Sequence, residues 1–156
     1  MSRLYVAYGS NLNIAQMSRR CPDAKIYCSG YLCNWELVYR GSVTGAYATI
    51  RRKEGGRVPV VVWIISAADE NNLDLYEGYP KFYFKQNVMV DLLIGRKKAM
   101  VYIMTTSAHP GTPSKTYENT IRQGYIDNGL DLKYFEETLR KNNLECFNNK
   151  KASSLH

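Results

Sequence analysis

Residues 58–66 read VPVVVWIIS, the most apolar run in the chain. Nine residues are too few for a membrane helix, and the valines and isoleucines favour extended backbone. With no polar face, the run needs cover on both sides, so it reads as a central strand. Pro59 falls near its start, where a missing backbone donor is tolerated. Before it, Lys53–Arg57 (KEGGR) has the composition of a hairpin turn. After it, Ser66 with Asp69 three residues on has the spacing of a capping box, and predicts a helix that Gly78 and Pro80 end.

The remaining segments are placed around this strand. Leu4–Tyr8 is rich in strand formers. Tyr31–Arg40 and Ala46–Arg52 read as strands about a Gly41–Gly45 turn, and YFKQNVMVDLLI and RKKAMVYIM as a hairpin about Gly95. A short helix follows Asn11 or Asn13 as cap and stops at Pro22. Thr112-Pro113 is a cap and first-turn signal for a helix to about Asp127, closed by Asn128-Gly129, and Asp131 caps a last helix. Strands joined mainly by hairpins, with separate helices, give an α+β fold with a mixed, mainly antiparallel sheet of a size that often curls into a barrel.

A length of 156 residues suits one domain, expected over 1–148, with a polar, disordered tail over 149–156. The N-terminus turns polar too soon for a signal peptide, and no stretch is long and apolar enough to span a bilayer. A cytoplasmic protein with no membrane partner is expected. Cys21, Cys28, Cys33 and Cys146 form no C-x-x-C pair, and His109 and His156 are the only histidines. No metal and no cofactor is expected, and the thiols read as free. The net charge of +7 lies in short clusters, Arg19-Arg20, Arg51–Lys53, Arg96–Lys98 and Lys150-Lys151. No nucleic-acid-binding signature accompanies them, so they read as solvated surface.

Three stretches carry candidate chemistry. In the first, YGSNL, a strand stops in Gly9-Ser10-Asn11 before a helix. Its backbone N–H groups, the Ser10 hydroxyl and the Asn11 amide suit an anion or a polarised carbonyl oxygen. The plain alternative is a turn and an N-cap. Ser10 makes a poor nucleophile, because Leu12 stands where a G-x-S-x-G elbow needs glycine and His109 is the only base on offer. In the second, LDLYEGYPKFY (Leu73–Tyr83), Glu77 stands at a helix C-terminus among Tyr76, Tyr79, Phe82 and Tyr83. The dipole and the aromatic surroundings both disfavour its ionised form, as a general acid/base at neutral pH requires. Lys81 and Lys85 nearby either select acidic substrates or are solvated. In the third, Tyr117 and Tyr125 read as half-buried helical packing with hydrogen-bonded hydroxyls.

Taken in order and spacing, YVAYGSNL, LDLYEGYPKFY and SKTYENTIRQGYIDNGL resemble the γ-glutamylcyclotransferase-like family across nearly the whole globular chain. The resemblance implies a small mixed β-barrel flanked by helices, and cyclisation of a γ-glutamyl amide to 5-oxoproline with release of an amine. It makes Glu77 the catalytic acid/base and Tyr8, Gly9, Ser10, Asn11 and Leu12 the loop that cradles the glutamyl group. Tyr83 and Tyr117 match pocket-lining positions. The partner it implies is a small γ-glutamyl molecule. Two other readings stand beside it: a binding protein of the same fold without turnover, and a basic nucleic-acid-binding barrel. The oligomeric state is open.

Overall fold

The structure is a computed structural model, and it describes residues 2–42, 45–105 and 109–154. The strands are β1 (Ser2–Ala7), β2 (Lys25–Ser42), β3 (Gly45–Ser66), β4 (Tyr83–Leu92), β5 (Gly95–Met104) and the two-residue β6 (His109–Pro110). The helices are α1 (Ile14–Arg20), α2 (Ala67–Glu77), α3 (Lys115–Asp127) and α4 (Leu132–Ser154), and a 3₁₀ turn covers Ser10–Leu12. Strand order runs β3-β1-β5-β4-β2, and β2 pairs back onto β3, which closes a five-stranded barrel. The β1–β5 contact is parallel and the other pairings are antiparallel. The expected α+β barrel is therefore present.

As a central strand, VPVVVWIIS is flanked on both edges. Val61–Ser66 pairs with β1, and Arg57–Ile64 pairs with β2. Val58, Val60, Val61, Val62 and Ile65 have no exposed surface. At about 1.5–3 kcal/mol for a fully buried aliphatic side chain, this one strand carries a large share of the hydrophobic stabilisation.

KEGGR is not a hairpin turn. The chain runs on through it, and both halves of β3 pair with the same partner: Cys33 opposes Arg57 and Trp35 opposes Arg52. Two steps along β2 thus match five along β3, an outsized bulge. Asn34 adopts φ +68°, and its Oδ1 accepts from Gly55 N–H at 3.1 Å. Gly55 itself sits at φ +78°, and a Cβ on Gly56 would lie 2.4 Å from the Trp35 carbonyl oxygen. Two glycines in a row suit a bulge as well as a turn. The long-range pairing partner decides which one forms.

The helix signals fall largely where expected. Asn13 caps α1 by accepting from Gln16 N–H at 2.9 Å. Ser66 and Asp69 form the reciprocal capping box of α2, and Gly78 ends it at φ +63°. The cap of α3 is Ser114, not Thr112, because the Ser114 side chain accepts from Tyr117 N–H. Asp131 accepts from Lys133 N–H at the start of α4. That helix continues to Ser154, so residues 149–154, expected as tail, are helical. Tyr125 also departs from expectation: it is fully buried, and its hydroxyl has no partner among the described residues.

Candidate active site

A cavity of about 850 Å³ opens at one end of the barrel, lined by both ends of the expected site. It brings together Tyr8, Gly9, Ser10 and Asn11 from the loop, Glu77 from the end of α2, Tyr83 from the start of β4 and Tyr117 from α3. Leu12 is the exception. It is fully buried, and it does not line the cavity. Its Cβ and carbonyl carbon lie so near Gly124 of α3 that a Cβ there would come within 2.6–2.7 Å. Leu12 is thus the floor on which the loop rests, and Gly124 is the residue that lets α3 approach it.

The loop is held from every side. Leu12 N–H and Asn13 N–H turn back to the Gly9 and Ser10 carbonyls, at 3.0 and 3.1 Å, which leaves the Ser10 and Asn11 amides outside that pattern. The Ser10 carbonyl also accepts from Gln16, and Asn128 donates to the Leu12 carbonyl at 2.8 Å. Arg20, at the end of α1, donates to Asn11 Oδ1 at 2.6 Å and lies 3.4 Å from Ser10 Oγ. Its guanidinium sits over the Tyr76 ring, 3.1 Å from the centroid.

The opposite wall is an open strand edge. At Ala48, β3 pairs with β2 on one side and with no strand among the described residues on the other. Ala48 N–H donates to the Tyr117 hydroxyl at 2.9 Å, and the Tyr83 hydroxyl donates to the Ala48 carbonyl at 2.9 Å. Two tyrosines distant in sequence satisfy both groups of one residue at the cavity wall. Tyr8 donates to the Tyr102 carbonyl at 2.7 Å.

Glu77 differs from all of these. It is the last residue of α2, half-buried, and its carboxylate makes no hydrogen bond or ion pair among the described residues. Burial pushes its pKa from 4.5 up to about 7, with the Arg20 guanidinium opposing the rise. The position is set one turn earlier. Asp74 accepts from the Tyr102 hydroxyl at 2.6 Å and pairs with Lys85 at 2.8 Å, and Lys85 also pairs with Glu70 at 2.7 Å. These contacts tie α2 to β4 and β5. Lys85 therefore serves the frame, while Lys81 lines the cavity. His109 lies on β6 against Gly41 and does not reach the cavity lining.

Residues 5–122 match the family model described as "Gamma-glutamyl cyclotransferase, AIG2-like". The chain belongs to that family. It is 32% identical over 144 residues to the gamma-glutamylcyclotransferase of Homo sapiens, covering 87% of this chain and 77% of that one. The Bos taurus gamma-glutamylcyclotransferase is 31% identical, over 85% and 75% of the two chains. A solved structure titled "Gamma-glutamyl cyclotransferase" superposes with a TM-score of 0.80 at 32% identity, over 88% of this chain and 86% of that chain. The resemblance carried by YGSNL and LDLYEGY thus extends through the fold, and the chain is an enzyme of this family. No helix among the described residues is long and apolar enough to cross a membrane.

Several lining residues carried no local signal. Tyr5, Tyr47 and Tyr102 stand in ordinary strand patterns. Arg20, behind the loop and not in the lining, reads as one of a surface pair. Their part in the site comes from strand order and from the turn of α1 back over the loop. Tyr76, Lys81 and Phe82, close to Glu77 in sequence, stood near enough to a candidate residue to be noticed.

Proposed function

We propose that the cavity takes a γ-glutamyl amide, that Glu77 moves the protons of its cyclisation, and that the loop around Ser10 and Asn11 receives the substrate's oxygen charge. The substrate's α-amine attacks its own γ-carbonyl carbon. One C–N bond forms to close the five-membered ring, and the original amide C–N bond breaks. Tethering supplies most of what a bimolecular aminolysis lacks, so orientation is the larger part of the task. The attacking nitrogen must shed protons and the departing nitrogen must gain one. A carboxyl with a pKa of about 7 is suited to both transfers near neutral pH. It takes a proton from the amine as the ring closes and returns it to the leaving amine, ending as it began. The observation that carries this reading is an unpaired, desolvated Glu77 carboxylate in the same cavity as a donor-rich loop.

A small molecule rather than a nucleic acid is the partner this reading requires. The basic clusters support it, since Arg51 pairs with Glu36, Arg96 with Asp91, and Arg52 stacks on Trp35. A cytoplasmic setting accords with four free cysteines. The test is 5-oxoproline release from a panel of γ-glutamyl amino acids and amines. Wild type releases it, and Glu77→Gln loses about 10³-fold in kcat, within the range for one acid/base group. Full activity in that variant overturns the mechanism.

A further inference from the structure

Tyr5 lines the cavity with 4% of its surface exposed. Its hydroxyl oxygen accepts from Asn11 Nδ2 at 2.9 Å. Which end of the Asn11 amide faces Tyr5 is decided by Arg20. An arginine can only donate, so the atom 2.6 Å from its Nη1 must be the amide oxygen, and the NH₂ must face Tyr5. With its oxygen already accepting, the Tyr5 hydroxyl directs its own proton elsewhere. No acceptor for that proton lies within hydrogen-bond reach among the described residues. Burial, reinforced by the Glu77 carboxylate, holds this hydroxyl well above its ordinary range, so the proton stays on at any working pH.

Behind the chain stands a cation on which the Glu77 carboxylate acts only through space. Arg20 is half-buried and makes no ion pair with a carboxylate among the described residues; its other face is covered by the Tyr76 ring. Arg20, Asn11 and Tyr5 therefore form a polarised series in which each hydrogen bond strengthens the next donor. The series ends at the hydroxyl of Tyr5, a residue of the cavity lining.

Building on the proposed cyclisation, we propose that the Tyr5 hydroxyl is a substrate-touching donor for the γ-carbonyl oxygen as that oxygen gains charge, with Arg20 a positioning residue acting through Asn11. The cation is held one residue back and a neutral donor is presented. That suits an oxygen that is neutral in the ground state and anionic in the transition state, whereas a permanent carboxylate is better served by the guanidinium itself. The Glu77 carboxylate also acts on the Tyr5 hydroxyl, so donor and acid/base serve the same part of the cavity.

The experiment is steady-state 5-oxoproline release by Tyr5→Phe, Arg20→Met and the double variant, with thermal unfolding as the check on folding. Tyr5→Phe is expected to lose about 100-fold in kcat with KM little changed, the loss seen on removing one preorganised donor. Arg20→Met is expected to cost much less in the Tyr5→Phe background than in the wild type, because its effect travels through that hydroxyl. If Tyr5→Phe does not fold, Arg20→Gln decides: it keeps a donor to Asn11 but removes the charge, and is expected to lower kcat at constant KM. A wild-type kcat in Tyr5→Phe, a loss confined to KM, or strictly additive losses overturn the proposal and leave the cyclisation reading intact. A wild type that releases no 5-oxoproline from any γ-glutamyl amide overturns both.

Discussion

The two sides of the cavity are built on opposite plans. On the loop side, almost every polar group is bonded: Asn11 to Tyr5 and Arg20, the Ser10 carbonyl to Gln16, the Leu12 carbonyl to Asn128. On the α2 side, the helix is pinned one turn back through Asp74, Lys85 and Tyr102, yet Glu77 at its tip has no hydrogen-bond or ion-pair partner among the described residues. Under the proposed function, the bonded loop side holds donors at fixed positions, since reorganising them during the reaction would forfeit their advantage. The α2 side carries the cost of a desolvated carboxyl, and under the same proposal a paired carboxylate would be poorly matched to proton transfer at neutral pH.

Glu77→Gln puts this contrast to the severest test, read for stability as well as rate. A carboxyl raised from 4.5 to about 7 binds its proton more tightly in the folded state than in the unfolded one. Below about pH 4.5 both states are protonated and Glu77 adds no pH dependence. Between about 4.5 and 7 the unfolded chain has released the proton and the folded one has not, so stability falls as pH rises, and it levels off above 7. The expected loss is up to about 3 kcal/mol, since each tenfold difference in proton affinity between the two states is worth about 1.4 kcal/mol. Glu77→Gln should remove this slope and unfold at a higher temperature than wild type at pH 8. An unchanged slope in the variant means that Glu77 is not the strained group.

The loop side is tested next by Gly124→Ala. The new Cβ would meet Leu12 and Asn13 atoms at 2.6–2.7 Å, two of them backbone, so something must shift. A destabilisation of about 1–3 kcal/mol is expected, with kcat/KM falling because the loop is displaced. A variant with lowered thermal stability but unchanged kcat/KM separates the floor of the loop from its function.

The smallest effect is expected at Tyr125, buried in α3 against Phe135 and outside the cavity lining. Its hydroxyl is buried without a partner among the described residues, so it contributes a desolvation cost and no bond. Tyr125→Phe should leave thermal stability unchanged or raise it slightly, with kcat/KM as in wild type. A clear destabilisation would mean that the hydroxyl is satisfied by water.

Much of the fold was legible in the chain. The apolar run at 58–66, the Ser66–Asp69 capping box, Gly78 as a stop and the hairpin about Gly95 are local signals, read by spacing and side-chain chemistry. Expectation and structure part where local chemistry permits two outcomes. Gly55-Gly56 fits a turn or a bulge, and pairing of both halves of β3 with β2 selects the bulge. Thr112 and Ser114 can each cap a helix, and the one whose side chain meets the Tyr117 amide does so.

Residues close along the chain were enough to specify most strands and helices, the donor-rich composition of the YGSN turn, and a carboxylate at the end of a helix. Each follows from side chains within a turn or two of one another. Long-range packing supplied the rest: closure of the barrel, the inward turn of Leu12, the capping of Ala48 by Tyr83 and Tyr117, and the chain from Arg20 through Asn11 to Tyr5. It also set the Glu77 pKa near 7, because desolvation is a property of everything packed around a group. Local sequence placed the acid and the loop. Only the closing of the sheet put them in one cavity.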